Sequence, residues 1–408
     1  MKHCQRILAG ALSAALFCSV LSGCGQPAAV PDVSPAPEAA PTAAPPEPSA
    51  ASDPVDALLQ QLSLREKVGQ LFLIRPDALD PALSQETIDA PKAAGVTELT
   101  DAMRETLQQY PAGGIVQFGK NLVSPEQITA FNTALQQNST VPLFLSVDEE
   151  GGPVARLANH PAFALPVYTS PAEVGKSGDP ADTQAMGRTI GGYLVQYGFN
   201  MDFAPDADVN TNPDNPVIGV RAFSQDAQTA AILARGMADG LRQAGILPVF
   251  KHFPGHGDTR QDSHAELAVT EKDAAAMAAC EWLPFLQAQP QDCIMVGHIA
   301  APALTGDLVP ATLSHTIVTD ILREQLGFAG LVVTDSLSMH AITDNYAPAD
   351  AALAALQAGC DLLLMPADYR QTFDAVVAAV EDGAFPESDL DAIVRRILTC
   401  KQAIGLLA

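Results

Sequence analysis

Apolar runs of roughly four to eight residues recur eight times between residues 53 and 408, and amphipathic stretches separate them. That alternation constrains the fold more than any other feature. The runs cover 69–74, 112–119, 142–147, 199–204, 246–250, 293–298, 330–335 and 361–365. A strand that is apolar along its whole length has both faces buried, as a parallel sheet covered by helices requires. Helical patterns fill the gaps, over 181–197 and 226–243, and from Ser124-Pro125, where proline takes the first helical position. About eight such units in succession predict a (β/α)8 TIM-type barrel forming a single catalytic domain over 53–408. A doubly wound open sheet is the competing arrangement. Ser63-Leu-Arg-Glu66 is a capping box that opens a helix. The stretch 79–110 reads as an insertion of helical character, and 379–407 closes the chain with a helical pattern.

The first 52 residues have a different character. Lys2 and Arg6 precede a short apolar run, which ends in Leu21-Ser22-Gly23-Cys24. A basic region, an apolar region too short to span a bilayer and then small residues make an export signal over 1–23. Leu-Ser-Gly-Cys resembles a bacterial lipobox, with cleavage before Cys24 and lipidation of its thiol. More than one acyl chain would give stable anchoring to a membrane. Residues 24–52 are almost entirely Pro, Ala, Ser and acidic residues, an extended tether. The expected location is the outer face of the bacterial cytoplasmic membrane, through the lipid anchor only. The formal net charge is −25, and loss of the signal leaves 20 basic residues against 47 acidic ones. Nucleic acid is a poor partner for such a surface. Cys280, Cys293, Cys360 and Cys400 lack zinc-site spacing and read as buried thiols. A monomer is expected.

Polar groups collect where the apolar runs end: Asp148, Asp206, Asp208, Lys251, His252, His298 and Asp335. In a barrel these ends share one rim, so the ligand is expected to be polar and rich in hydroxyls. The densest stretch is 246–264, where Lys251, His252, His256, Asp258, Arg260, Asp262 and His264 follow a buried strand. Pro254, Gly255 and Gly257 make it a loop. His252 and His256 are four apart, but a metal pair at that spacing needs a helix, and no Glu or Cys accompanies them. No metal and no cofactor are called for. The alternative reading takes Lys251 and His252 as hydrogen-bond donors to a sugar, and Asp262 with His264 as a proton-transfer pair. Asp335 follows Leu-Val-Val-Thr directly, and a carboxylate on a rigid strand tip suits a nucleophile. A helix N-cap is the structural alternative for an isolated Asp there.

Longer motifs carry a resemblance. Lys251-His-Phe-Pro-Gly-His-Gly-Asp258 with Asp262-Ser263-His264 resembles glycoside hydrolase family 3, and within it the single-domain β-N-acetylglucosaminidase branch. Asp148-Glu-Glu-Gly-Gly, 215–224, 326–339 and Ala358-Gly-Cys-Asp361 match the same family in the same order, and the likeness runs from about Val55 to Leu407. It implies Asp335 as nucleophile, His264 as general acid/base with Asp262 as its partner, and Asp148, Arg156, Arg221, Lys251 and His252 as the holders of the non-reducing-end sugar. The sequence departs from the frequent family pattern at Glu149, at Val220 and Ala222, and at Ser336, none of them a residue assigned to chemistry.

The implied reaction is retaining removal of terminal N-acetylglucosamine from peptidoglycan fragments or chitooligosaccharides. Retention needs a nucleophile and a group that acts first as acid, then as base. An imidazole of reference pKa ~6.5 serves in either state near neutrality and adds no negative charge beside the attacking carboxylate. Pro and Gly at the loop's start would let it close over substrate. Three rivals remain: a β-glucosidase or β-xylosidase, a phosphorylase using the same site, and a non-catalytic sugar-binding lipoprotein. The first usually takes its acid from a Glu in a further domain, which this sequence lacks. The last fits the Asp335, His264 and Asp262 set poorly.

Overall fold

The computed structural model describes residues 53–90, 92–261 and 266–407. Among them, eight parallel strands form one sheet: β1 (Phe72–Ile74), β2 (Gly114–Val116), β3 (Phe144–Val147), β4 (Met201–Asp202), β5 (Leu247–Phe253), β6 (Cys293–Val296), β7 (Leu331–Thr334) and β8 (Leu363–Leu364). Each pairs with its neighbours in chain order, and β8 returns to β1 with Leu73 opposite Leu364. The last seam, β7 to β8, is a single bridge between Val333 and Leu362, reinforced by Thr334 N–H donating to the Leu362 carbonyl at 3.0 Å. An open doubly wound sheet would leave two free edges; here the ring is nearly closed, as the barrel reading expects.

All eight strands are buried along their whole length, which is why their sequences are apolar rather than alternating. The helices that cover them are α1 (Asp101–Gln109), α2 (Pro125–Gln137), α3 (Pro180–Gln196), α4 (Ala227–Ala244), α5 (Ala274–Ala279), the π-helical α6 (Thr316–Gln325), α7 (Pro348–Ala358) and α8 (Tyr369–Glu381). Short polar side chains start most of them: Thr100, Ser124, Asp179, Asp226, Asp273 and Asp368 each accept from a first-turn N–H. Helices Pro54–Gln61 and Glu387–Ala403 pack together outside this ring. No helix among the described residues is long and apolar enough to cross a membrane.

Three boundaries differ from the sequence reading. The capping box at Ser63 and Glu66 forms, and the helix it starts runs to Gln70, so the first apolar run is strand only from Phe72. The stretch 79–110 is not simply an insertion: its last part is α1, the crossover from β1 to β2. Only residues 80–99 are extra. They are tied across the strand ends by Arg75 and Lys120, which both donate to the Ile88 carbonyl, and by buried Asp77, which accepts from Val96 N–H. The third difference is that β5 extends past Phe250 to Phe253, because Lys251 bridges to Asp206 and Phe253 pairs with Val296. Lys251 and His252 therefore stand on a strand, and the loop begins at Pro254.

Candidate active site

Parallel strands bring their C-terminal ends to one face, and the charged residues there form a ribbon of alternating sign. Arg156 lies 3.3 Å from Asp148, and Lys251 Nζ lies 2.8 Å from Asp148 Oδ1 and 2.6 Å from Glu150 Oε1. Arg221 forks onto Glu150, with Nε at 2.9 Å and Nη2 at 2.7 Å from its two oxygens, and its Nε is 3.5 Å from Asp206 Oδ2. Burial would raise the Asp148 carboxyl, but Lys251 and then Arg156 hold it well below the usual carboxylate range. Burial is likewise overcome at Glu150, which Arg221 and Lys251 pull down to about 2. Both cations stay charged despite their burial, Lys251 through Asp148 and Glu150, and Arg221 through Glu150 and Asp206.

Local structure explains the ribbon. Asp148 ends β3, and the next residues turn back as a short hairpin, Glu149–Gly151 against Val154–Ala155, which returns Arg156 to Asp148. Buried Glu149 pins that turn: Leu157 N–H, Ala158 N–H and the Tyr193 hydroxyl each donate to it at 2.8 Å. Arg221 sits on a 3-10 turn, Gly219–Arg221, anchored by Asn215, whose Oδ1 accepts from Val217 and Ile218 N–H.

His252 stands next on β5. Its Nδ1 is 2.8 Å from Asp208 Oδ2, and its Nε2 is 3.5 Å from Arg221 Nη2. Burial and then Arg221 push the imidazole down to about 4, so it is neutral at neutral pH. Asp206 and Asp208 are both raised, primarily by burial. Asp335 follows β7 at its tip; its N–H pairs with the Val296 carbonyl at 2.9 Å and its Oδ1 accepts from Ser336 N–H at 2.7 Å. It stands at the C-terminal end of β7, on the same barrel face as His252 at the end of β5. His298 sits below it, 2.8 Å from the Ser336 carbonyl and 2.9 Å from Thr312, tying down the backbone beside Asp335.

Six residues named from sequence thus come together: Asp148, Arg156, Arg221, Lys251, His252 and Asp335. Asp262, His264 and Cys24 lie outside the described residues. The two described arms of the loop bearing Asp262 and His264 are held firmly. Asn215 Nδ2 donates to the His256 carbonyl at 2.8 Å and to the Thr259 carbonyl at 3.1 Å, and Thr270 donates to Asp258 at 2.8 Å. Lys272 joins Glu281 and lies 3.8 Å from Asp258. Burial raises Glu281 to about 7. Gly257 packs so tightly that a Cβ would fall 1.8 Å from the Val209 carbonyl oxygen. This glycine serves close approach rather than a loose hinge.

The sequence reading gave no site role to Glu150, Glu281 or Lys272. Glu150 had a signal, since it shares a motif with Asp148. Asp206, Asp208 and His252 bring ligand-type atoms within 4.8 Å of one another. Arg221 already lies against Asp206 and His252, so a guanidinium supplies positive charge there. His252 and His256, with rings 5.9 Å apart, use their Nδ1 atoms on Asp208 and Thr259 respectively.

A rim of carboxylates, guanidinium groups and an ammonium around a strand-tip Asp suits a ligand bound through many hydroxyls. Comparison with known proteins agrees. Residues 63–400 match the Glycosyl hydrolase family 3 N terminal domain. β-Hexosaminidase A of Pseudoalteromonas piscicida is 37% identical over 303 residues, covering 69% of this chain and 50% of that protein. β-Hexosaminidase LpqI of Mycobacterium tuberculosis is 34% identical, with 97% of each covered. The structure of a family 3 β-N-acetylglucosaminidase from Paenibacillus sp. FPU-7 superposes with a TM-score of 0.76 at 35% identity, over 85% of this chain and 64% of that one. The chain thus spans half the length of the first relative and nearly all of the second. It belongs to glycoside hydrolase family 3.

Proposed function

We propose that the protein is a retaining exo-β-N-acetylglucosaminidase, removing N-acetylglucosamine from the non-reducing ends of peptidoglycan fragments or chitooligosaccharides. The observation that carries this reading is the convergence of Asp148, Arg156, Arg221, Lys251 and His252 on one mouth beside Asp335. The names of the relatives, β-hexosaminidase and β-N-acetylglucosaminidase, support the amino-sugar preference. In this reading Asp335 attacks the anomeric carbon while His264, oriented by Asp262, protonates the leaving oxygen. His264 then deprotonates the water that releases the sugar. The five rim residues hold the terminal sugar, and the fixed charges of four of them, with His252 neutral, leave little to reorganise during the reaction. Lipidation at Cys24 after removal of residues 1–23, with 24–52 as tether, would place the enzyme on the outer face of the cytoplasmic membrane.

The test is release of p-nitrophenol from its β-N-acetylglucosaminide. Turnover of the acetamido sugar in preference to the glucoside is expected, with a loss of at least about 10³-fold in the Asp335→Asn protein. Faster turnover of the glucoside would move the specificity, and tight sugar binding without turnover would promote the binding-protein reading. His264→Ala should slow unactivated disaccharides strongly, by about 10²–10⁴-fold, and the aryl glycoside much less. Equal losses on both substrates would remove His264 from the acid role.

A further inference from the structure

We infer that Asp208 is a positioning residue that fixes His252 as the Nδ1–H tautomer, so that the imidazole meets the sugar as a hydrogen-bond acceptor. This rests on the reading that a sugar occupies the mouth, and it reverses the donor role that the sequence suggests for His252. Asp208 Oδ1 faces the His256 N–H at 2.6 Å, and its Oδ2 faces both the His252 N–H at 3.3 Å and the His252 ring at 2.8 Å. Both oxygens therefore accept from backbone, and an ionised Asp208 has no proton of its own to give, so Nδ1 carries the one they share. A neutral ring then has only a lone pair on Nε2. That atom is 3.5 Å from Arg221 Nη2, itself a donor, so no group at that distance requires Nε2 to be protonated.

The rest of the cluster keeps Asp208 in place. Its own N–H donates to Asp206 Oδ1 at 3.1 Å, and Asp206 lies opposite Lys251 in the sheet. The support therefore comes from the segment that follows β4, the strand next to the one carrying His252, and Asp208 is fully enclosed. Behind a metal-ligating imidazole, an aspartate in this position sets which nitrogen is free and its loss commonly costs about 10–100-fold; the same orienting logic applies to an imidazole that binds a hydroxyl. Because Lys251, Arg156 and Arg221 are all cations, His252 is the neutral acceptor among these five rim residues, with Asp148 the anionic one. A mouth that accepts a hydroxyl proton at His252 should discriminate strongly against sugars lacking that hydroxyl.

The direct test is the two-bond ¹⁵N–¹H spectrum of the histidine-labelled protein, with His252 assigned by its disappearance in His252→Ala. The Nδ1–H pattern is expected in the unsubstituted protein, and a shift toward Nε2–H in Asp208→Asn, whose amide can donate to Nδ1. An Nε2–H pattern in the unsubstituted protein would overturn the inference without recourse to any variant. The kinetic arm is a double-mutant cycle on the aryl N-acetylglucosaminide. Asp208→Asn should lower kcat/KM by about 10–100-fold in the native background and change it by no more than about twofold in His252→Ala. Losses that simply multiply would show that Asp208 acts only on the fold, and would sink the positioning role. If no N-acetylglucosaminide is turned over at all, the functional reading fails, while the spectrum still decides the tautomer.

Discussion

Glu149 shows how one carboxylate can organise a site without touching substrate. Three donors converge on it at 2.8 Å, two of them backbone N–H groups bound to different oxygens. Glutamine, frequent here in the family the motif resembles, would turn an NH₂ toward one of those N–H groups. Glu149→Gln should therefore cost about 1–3 kcal/mol of stability, read by chemical denaturation, and should raise KM because the pinned turn carries Arg156. Unchanged stability and KM would mean the turn is held by other contacts. At this scale the sequence was informative about residue type and poor about partnership. Lys251, Arg221 and Asp148 could be named from their motifs. That Glu150 serves as shared counter-ion for Lys251 and for Arg221, 71 residues away, is a fact of three-dimensional proximity.

Between elements, α3 and α4 pack backbone against backbone. A Cβ at Gly187 would lie 2.2 Å from the Met237 carbonyl oxygen, and one at Gly240 would lie 2.2 Å from the Gln184 carbonyl oxygen. The two backbones touch, so Gly240→Val must separate the helices, a cost of order 3 kcal/mol. Gly192, also on α3, faces open space, and Gly192→Ala should stabilise the fold by up to about 1 kcal/mol. Thermal unfolding of the two variants should move in opposite directions; movement in the same direction would contradict the packing. Element type and order were readable because apolar runs and capping residues are local signals. Element ends were less so. The reach of β5 through Lys251 and His252 depends on strands β4 and β6 offering partners, and the role of 101–109 as a crossover depends on where β2 lies.

At the scale of the whole molecule, the far end of the barrel is closed by a lysine. Lys401 Nζ donates to Gln70 Oε1 at 2.7 Å and to the Gly113 carbonyl at 3.0 Å, and lies 4.9 Å from the centre of the Phe144 ring. Burial pushes the amine down to about 7 from its ordinary 10.5. Between those pH values the unfolded chain binds a proton that the folded chain does not, so this group's contribution to stability rises with pH. The stability of the native protein relative to Lys401→Met should rise from pH 7 to 10, by up to about 1.4 kcal/mol per unit; a flat relative stability would show that the amine stays charged inside. The barrel, the order of its strands and most of the residues on its rim are legible in the chain alone, because hydrophobic period, caps and strand-end chemistry are written locally along it. How those charges pair, which nitrogen of His252 meets the mouth and what closes the barrel floor are set in three dimensions, because each depends on groups brought together from strands and loops far apart in the chain.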